Sequence, residues 1–281
     1  MIISELRREY INRLSEKYTA SESGVIFSIF VEKELGYNKI QQKVFENELI
    51  DNEKEWLLKN YLGELEKGKP YQQILGEVDF FGLSFMIDDN VLIPRPETEE
   101  LLEIAIEGIN KKYNNNIINI LEVGAGSGVI SIILKKNFPN ANITSFDISE
   151  KAIYVACENA KKHSVEINFV QKDYLNYQFV DEKYDVIISN PPYIGMDERG
   201  EISDSVKKFE PNVALFSPIE DTLIFYRKIS QDARQILNKN GLIFLEINQK
   251  LGQETLSLYG GFQAKLIQDL SGNDRFVCIG D

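Results

Sequence analysis

From Ile2 to about Leu65 the apolar residues recur at helical spacing, as in Leu6, Tyr10 and Leu14, then Val25, Ile26, Ile29, Phe30 and Val31. No strand-like alternation interrupts them, so the stretch predicts a small helical domain over residues 1–70. Breaks near Ser21-Glu22-Ser23 and Gly36-Tyr37-Asn38 divide it into short helices, with Ser21 and nearby Gly24 as helix-start chemistry. Gly68-Lys69-Pro70 marks its end. Between Tyr71 and Ile93 the pattern changes to short aromatic and β-branched runs around Gly76 and Phe80-Phe81-Gly82, which predicts a β-hairpin linker over residues 71–95.

After Pro96 helical and strand-like stretches alternate to the end of the chain, the rhythm of a doubly wound α/β sheet over residues 96–281. Helices are expected at Glu97 to Ile109, Val129 to Asn137, Lys151 to His163 and Thr222 to Leu237. Strands are expected at Ile117 to Val123, Asn142 to Asp147, Glu166 to Gln171, Tyr184 to Ser189, Gly241 to Ile247, Phe262 to Ile267 and Arg275 to Ile279. A Rossmann-like, seven-stranded mixed sheet that closes on an antiparallel pair resembles the class I methyltransferases.

Composition narrows the function. No apolar run approaches the roughly 20 residues of a membrane span, and the amino terminus lacks the layout of an export signal, so a cytoplasmic protein is expected. Cys157 and Cys278 both lie in apolar stretches and read as buried thiols. With His163 as the only histidine and no paired cysteines, neither a zinc site nor a Ser-His-Asp triad is expected. His163 itself reads as a cationic cap at a helix end. A formal charge of −13, from 31 basic and 44 acidic residues, repels phosphate backbones, so direct nucleic-acid binding is not expected. A basic protein surface is the better partner, and a monomer is expected.

Leu121-Glu122-Val123-Gly124-Ala125-Gly126-Ser127-Gly128 ends a strand and opens a helix, the junction at which such a sheet presents its ligand crevice. Gly124, Gly126 and Gly128 permit a tight turn and a close backbone approach. The dinucleotide fingerprint wants its third glycine at position 129, where Val129 stands; the spacing here matches the methyltransferase form and points to S-adenosyl-L-methionine. Asp147, about 20 residues further on, is placed to accept from both ribose hydroxyls. Asp173 after the next strand is suited to the adenine amino group and Tyr174 to covering the base. Glu122, under the loop, faces the methionine amino group, and Ala125, Ser127 and Asn190 complete the expected cofactor contacts.

Ser189-Asn190-Pro191-Pro192-Tyr193 closes the fourth strand of the sheet at the same edge. Two successive prolines donate no main-chain hydrogen bonds and fix their own φ, so the turn offers carbonyl acceptors in a rigid arrangement. Together the Asn190 side-chain oxygen and the Pro191 carbonyl suit both hydrogens of a planar NH2 group, with Tyr193 to stack on it. The lone pair of such a nitrogen is delocalised, and acceptors on both hydrogens raise its electron density. Amino-directed DNA methyltransferases acting on adenine or cytosine use a similar turn, so these residues leave an amide and a base amine both open.

Other segments resemble one family over almost the whole chain, the protein-glutamine N5-methyltransferases of peptide-chain release factors, often called HemK or PrmC. They are Tyr71-Gln72-Gln73-Ile74-Leu75-Gly76, Phe80-Phe81-Gly82, Leu92-Ile93-Pro94-Arg95-Pro96-Glu97-Thr98-Glu99, the glycine loop, and Asn190 to Ile194. Glu210-Pro211 to Leu215, Tyr226-Arg227, Leu245-Glu246-Ile247 and Gly272-Asn273-Asp274-Arg275 match as well. The resemblance implies that the substrate is the glutamine of a Gly-Gly-Gln motif in class I release factors, with a consequence for translation termination. It further implies that the N-terminal helices recognise the release factor and that Phe81 and Arg95 help wall the reaction centre. Ser217-Pro218-Ile219-Glu220-Asp221-Thr222-Leu223 and Asn248 depart from the family pattern, and both are expected to lie outside the cofactor and Asn-Pro-Pro-Tyr motifs.

Overall fold

The computed structural model describes residues 1–114 and 116–280. In chain order, helices α1 (Ile3–Arg13), α2 (Ala20–Leu35), α3 (Lys39–Val44), α4 (Asn52–Glu66) and α5 (Tyr71–Leu75) precede the hairpin β1 (Glu77–Phe80) and β2 (Leu83–Met86). Then follow α6 (Pro96–Tyr113), β3 (Asn119–Val123), α7 (Val129–Asn137), β4 (Asn142–Asp147), α8 (Glu150–Lys162), β5 (Asn168–Gln171) and β6 (Tyr184–Ser189). The chain closes with α9 (Asp204–Phe209), α10 (Asn212–Leu215), α11 (Ile224–Ile236), β7 (Leu237–Glu246), α12 (Gly252–Ser257), β8 (Ala264–Gln268) and β9 (Asp274–Ile279). No described helix is long and apolar enough to cross a membrane.

Two compact units result, one of Met1–Gly76 with Asp204–Phe209, the other of Glu77–Ser203 and the chain from Glu210 onward. In the first, Leu6, Tyr10 and Leu14 of the opening helical repeat meet Phe27, Phe30 and Val31 of α2 and Leu58, Leu62 and Leu65 of α4 in one buried cluster. The Tyr10 hydroxyl donates to the Leu58 carbonyl, which satisfies the one polar group that ring brings inside. Asp204–Phe209 is tied in by the Gln73 amide on the Phe209 carbonyl at 2.7 Å and the Ser205 hydroxyl on the Gly68 carbonyl at 2.6 Å. Helix α2 starts at Thr19, not at Ser21. Thr19 accepts from the Glu22 N–H and the Glu22 carboxylate accepts from the Thr19 N–H, a reciprocal capping box that places Ser21 inside the first turn.

The expected hairpin is shorter than residues 71–95. Tyr71–Leu75 is a helical turn ended by Gly76 at φ 71°, and pairing runs only from Glu77↔Met86 to Phe80↔Leu83. Phe81 and Gly82 form its two-residue loop with φ of 50° and 71°, as a tight hairpin turn requires.

The second unit carries a seven-stranded sheet of order β5-β4-β3-β6-β7-β9-β8. Its first five members run parallel, and β9 pairs antiparallel with both β7 and β8. Both faces are covered, so the strands read as continuous apolar runs and successive residues serve opposite cores. Ile120, Val186, Ile188 and Phe244 pack with α6 and α7, whereas Leu121, Ile187, Ile243 and Leu245 pack with Tyr226, Ile229, Ala233 and Ile236 of α11. Strand β7 begins earlier than expected: Leu237 pairs with Tyr184, then the register jumps and resumes at Val186↔Leu242, so a bulge with Asn240 at φ 62° separates the two pairings.

Two further expectations change. His163 does cap α8, but its ring packs on Phe85 and its Nε2 donates to the Ser84 carbonyl at 3.0 Å; burial lowers its pKa, so it caps as a neutral ring. Both cysteines are half-buried, not buried. Cys157 sits at the margin of the α8 face formed by Ala152, Val155, Ala156, Asn159 and Ala160.

Leu121 lies fully buried at the centre of the sheet. Leu121→Ala is expected to lower the unfolding free energy of the chain by about 2–5 kcal/mol, measured by urea denaturation followed by circular dichroism; a loss under ~1 kcal/mol contradicts this packing.

Candidate active site

The sheet order places the site. From β3 the chain winds outward through β4 to β5, then returns to the other side of β3 as β6. Between the carboxyl ends of β3 and β6 the connections leave in opposite directions, and the crevice that opens there receives both the glycine loop and the Asn-Pro-Pro-Tyr turn. The two edges are in register, with Val123 opposite Ser189, and the Ser189 hydroxyl donates to the Val123 carbonyl at 2.7 Å. A cavity of about 660 Å³ lies over them, a volume ordinary for a small-ligand site.

Gly124 and Gly126 have φ of 88° and 51°, where a side chain is strained. A β-carbon at Gly124 would also stand 3.7 Å from the Asn190 carbonyl oxygen, so the loop passes close to the turn. The loop is fastened to β4: the N–H groups of Gly124 and Ala125 donate to the Phe146 carbonyl at 2.8 and 2.9 Å, and that of Gly126 donates to Asp147 Oδ2 at 2.9 Å. The other Asp147 oxygen accepts from the Ser149 N–H at 2.9 Å. A carboxylate has about four acceptor positions, so Asp147 holds the loop and keeps capacity for ribose hydroxyls. Its pKa is raised, burial outweighing these bonds.

Glu122 is fully buried below the loop. Its Oε2 accepts from the hydroxyls of Ser131 and Ser145, while its Oε1 has no hydrogen-bond partner among the described residues. Burial, outweighing the two serines, pushes its pKa up to about 7. An unpaired buried carboxylate oxygen lining this cavity is the feature that a ligand ammonium would complete, and the amino group of S-adenosyl-L-methionine fits it. Ser127 is buried in the loop, and Gly128 caps α7 at φ 81°, where a side chain is strained and a β-carbon would stand 3.1–3.2 Å from Ala156 and Phe169.

Asn190 and Pro191 border the same cavity, together with Pro192. The Asn190 amide nitrogen donates to Thr98 Oγ1 at 3.1 Å, and the Thr98 hydroxyl donates to Glu246 Oε2 at 2.7 Å. The other Glu246 oxygen lies 3.4 Å from the Tyr193 hydroxyl. Burial, opposed by the Thr98 bond and Arg275, raises the Glu246 pKa to about 7. Burial likewise raises that of Tyr193.

The structure thus brings Glu122, Gly124, Ala125, Gly126, Ser127, Asp147, Asp173, Tyr174, Asn190, Pro191 and Pro192 around one cavity. Asp173 also caps a turn, accepting from the Leu175 N–H and the Asn176 amide. Tyr174 is not a free lid: its ring is buried against Phe179 with Lys228 5.2 Å from its centroid, and only part of it faces the cavity. Four expected residues are not among the described residues lining the cavity: Gly128, which caps α7, and Phe81, Arg95 and Tyr193. Phe81 is held at the hairpin loop, its N–H donating to Glu99. Arg95 is turned into an ion pair with Glu210 at 2.6 Å, whose second oxygen accepts from the Ile93 N–H at 3.0 Å. Tyr193 is anchored to Glu246.

The departures are closer to the site than expected. Ser217, Pro218 and Ile219 line the cavity. The Asn248 amide donates to Glu198 at 2.8 Å and reaches the Tyr193 carbonyl at 3.4 Å. Sequence reasoning quoted Thr98 and Glu246 within family motifs but gave neither a task. They are far apart in the chain, and only the second apolar-to-acidic break at the end of a buried strand, repeating that of Glu122, signalled Glu246.

A crystal structure of a methyltransferase from Pyrococcus furiosus superposes with a TM-score of 0.50 over 71% of this chain and 89% of that one, at 19% identity. The family profile "Methyltransferase small domain" matches residues 104–207. Fold and site together define a class I methyltransferase. A release factor glutamine methyltransferase of Flavobacterium psychrophilum is 38% identical over 282 residues, 99% of each chain, and one of Streptococcus pneumoniae is 37% identical over 84% of each. The chain belongs to the release factor glutamine methyltransferase family.

Because the Glu122 pKa is raised in the folded state, the folded chain binds that proton more tightly than the unfolded one, and the stability contributed by the site falls as pH rises from about 4.5 through 7. Glu122→Gln is expected to escape this loss. Between pH 5.5 and 8 its unfolding free energy should gain roughly 2 kcal/mol on the ligand-free wild type, and a difference constant with pH in urea titrations contradicts the assignment.

Proposed function

We propose that the chain transfers the methyl group of S-adenosyl-L-methionine to the side-chain amide nitrogen, N5, of the glutamine in the Gly-Gly-Gln motif of class I peptide-chain release factors. One observation carries the reading: Asn190 turns its NH2 toward Thr98 and so keeps Oδ1 as an acceptor for the cavity, next to a glycine loop with an unsatisfied carboxylate oxygen beneath it. The name borne by relatives that match nearly the whole chain supports the same acceptor.

The bound donor supplies an electrophilic methyl on a sulfonium. Glu122 would pair with its amino group, Asp147 with its ribose, and Asp173 and Tyr174 with its base, while Gly124 to Gly128 would hold it. Asn190 and Pro191 accept from the two amide hydrogens, Pro192 keeps that turn rigid and Tyr193 fixes its far end. A nitrogen so held has its lone pair aimed at the methyl, and orientation of this kind is worth effective molarities of roughly 10⁵ M or more. Transfer would form the C–N bond as the S–C bond breaks, and the acidified nitrogen would then lose its proton to water, so no strong base would be required beforehand.

The partner is a protein. A net charge of −13 suits a basic protein surface and repels a phosphate backbone, against a nucleic-acid substrate. The helical residues 1–70 are proposed to recognise the release factor, residues 71–95 to join them to the catalytic residues 96–281, and the enzyme to act as a cytoplasmic monomer.

Incubation with labelled S-adenosyl-L-methionine and purified release factor is expected to add one methyl to the Gly-Gly-Gln glutamine, located by mass spectrometry of tryptic peptides; no transfer refutes the proposal. Asn190→Ala is expected to lower kcat by about 100-fold or more while leaving donor affinity within a few-fold.

A further inference from the structure

We infer that Thr98 and Glu246 are positioning residues that fix which end of the Asn190 amide faces the acceptor, through a one-way chain of hydrogen bonds that terminates on the Glu246 carboxylate. This deepens, and rests on, the reading of the site as a grip on a planar NH2 group.

The direction of the chain follows from valence alone. An ionised carboxylate only accepts, so the Thr98 hydroxyl must spend its single proton on Glu246 Oε2, 2.7 Å away. The Thr98 oxygen is then available to its other neighbour only as an acceptor. Asn190 can meet it only with the NH2 end, and the 3.1 Å contact is from Nδ2. Oδ1 is thereby presented to the cavity. A flipped amide would set its own NH2 against the NH2 of the acceptor and leave two donors facing each other. The orientation that makes Asn190 useful is imposed by Thr98 on α6, which also borders the cavity, and by Glu246 at the end of β7.

The surroundings keep Glu246 an acceptor. Thr98 is 3% and Glu246 1% exposed, so water does not compete for either. Tyr193 presents a hydroxyl to Oε1 at 3.4 Å, Arg275 on β9 favours the charged form, and Glu97 on α6 opposes it. Tyr226 on α11 donates to the Glu246 backbone carbonyl at 3.1 Å, holding the residue in place without touching the carboxylate. Burial pushes the Glu246 pKa up to about 7. Protonated on Oε2, the acid can donate to Thr98, whose hydroxyl is then released to donate to Asn190 Oδ1, and the amide is free to turn over.

The test uses the full-length chain, saturating S-adenosyl-L-methionine and purified release factor. Thr98→Val is expected to lower kcat about ten-fold, the rate equivalent of one lost hydrogen bond, with donor KM unchanged within about two-fold. Thr98→Ser, which keeps the hydroxyl, is expected to stay within about three-fold of wild type. In the wild type log kcat should fall with unit slope below about pH 7, and Glu246→Gln, which accepts through its amide oxygen at every pH, should lack that limb. Saturation with donor keeps Glu122, whose titration acts on donor binding, out of the kcat profile. A Thr98→Val enzyme as fast as wild type, a Thr98→Ser enzyme as slow as Thr98→Val, or an acid limb that survives in Glu246→Gln each overturns the inference. Failure of the wild type itself to methylate the release factor removes the amide reading instead, so the two failures are distinguishable. Should Glu246→Gln fail to fold, the Thr98 pair decides alone.

Discussion

Strands β3 and β6 lie side by side and parallel, yet the chain leaves their ends in opposite directions, to β4 on one side and toward β7 on the other. A crevice opens between them, and both the glycine loop and the Asn-Pro-Pro-Tyr turn border it. The Ser189 hydroxyl on the Val123 carbonyl ties the two ends together, so the distance between glycine loop and Asn-Pro-Pro-Tyr turn is set by sheet geometry and not by loop flexibility. In-line transfer between two bound groups depends on such fixed spacing, because a displacement of about 1 Å is enough to cost two orders of magnitude in rate.

The same position imposes a cost. Glu122 and Glu246 sit at or near the carboxyl ends of β3 and β7, the two strands that flank β6, and are almost completely buried, where a charge is poorly solvated. Both are pushed toward neutrality, and neither is compensated by a tight ion pair. Stability alone would favour apolar residues at both positions. Under the proposed function their presence is understandable: one would offer an acceptor to a ligand, the other would give direction to a hydrogen-bond chain.

Much of this was legible in the sequence because it is local. The glycine spacing from Gly124 to Gly128, the unbroken apolar runs of strands covered on both faces, and the proline pair after Asn190 each express a constraint within a few residues. Strand β4 and helix α7 fall where periodicity puts them. What was not legible depends on contacts distant in sequence. Thr98 and Glu246 meet only once α6 packs on β7; the ion pair of Arg95 with Glu210 joins residues far apart in the chain; Ser217 to Ile219 lie outside the motifs in sequence, although they border the cavity. Local chemistry also misled where a stronger local motif stood nearby, as when the Thr19–Glu22 capping box displaced the helix start from Ser21.

The two buried carboxylates differ in one respect that assigns their tasks. Glu122 fills one oxygen with two serine hydroxyls and leaves the other empty, so its deficit faces outward to whatever enters the cavity. Glu246 has a hydroxyl at each oxygen, from Thr98 at 2.7 Å and from Tyr193 at the longer 3.4 Å, so its demand is met within the protein. An acceptor with an unmet demand selects a ligand by charge. An acceptor whose demand is met orders its neighbours instead, since each donor it engages loses the freedom to point elsewhere. In a reaction whose acceptor nitrogen must be gripped by oxygen and never by NH2, that second kind of carboxylate matters as much as the first, although it touches neither reactant.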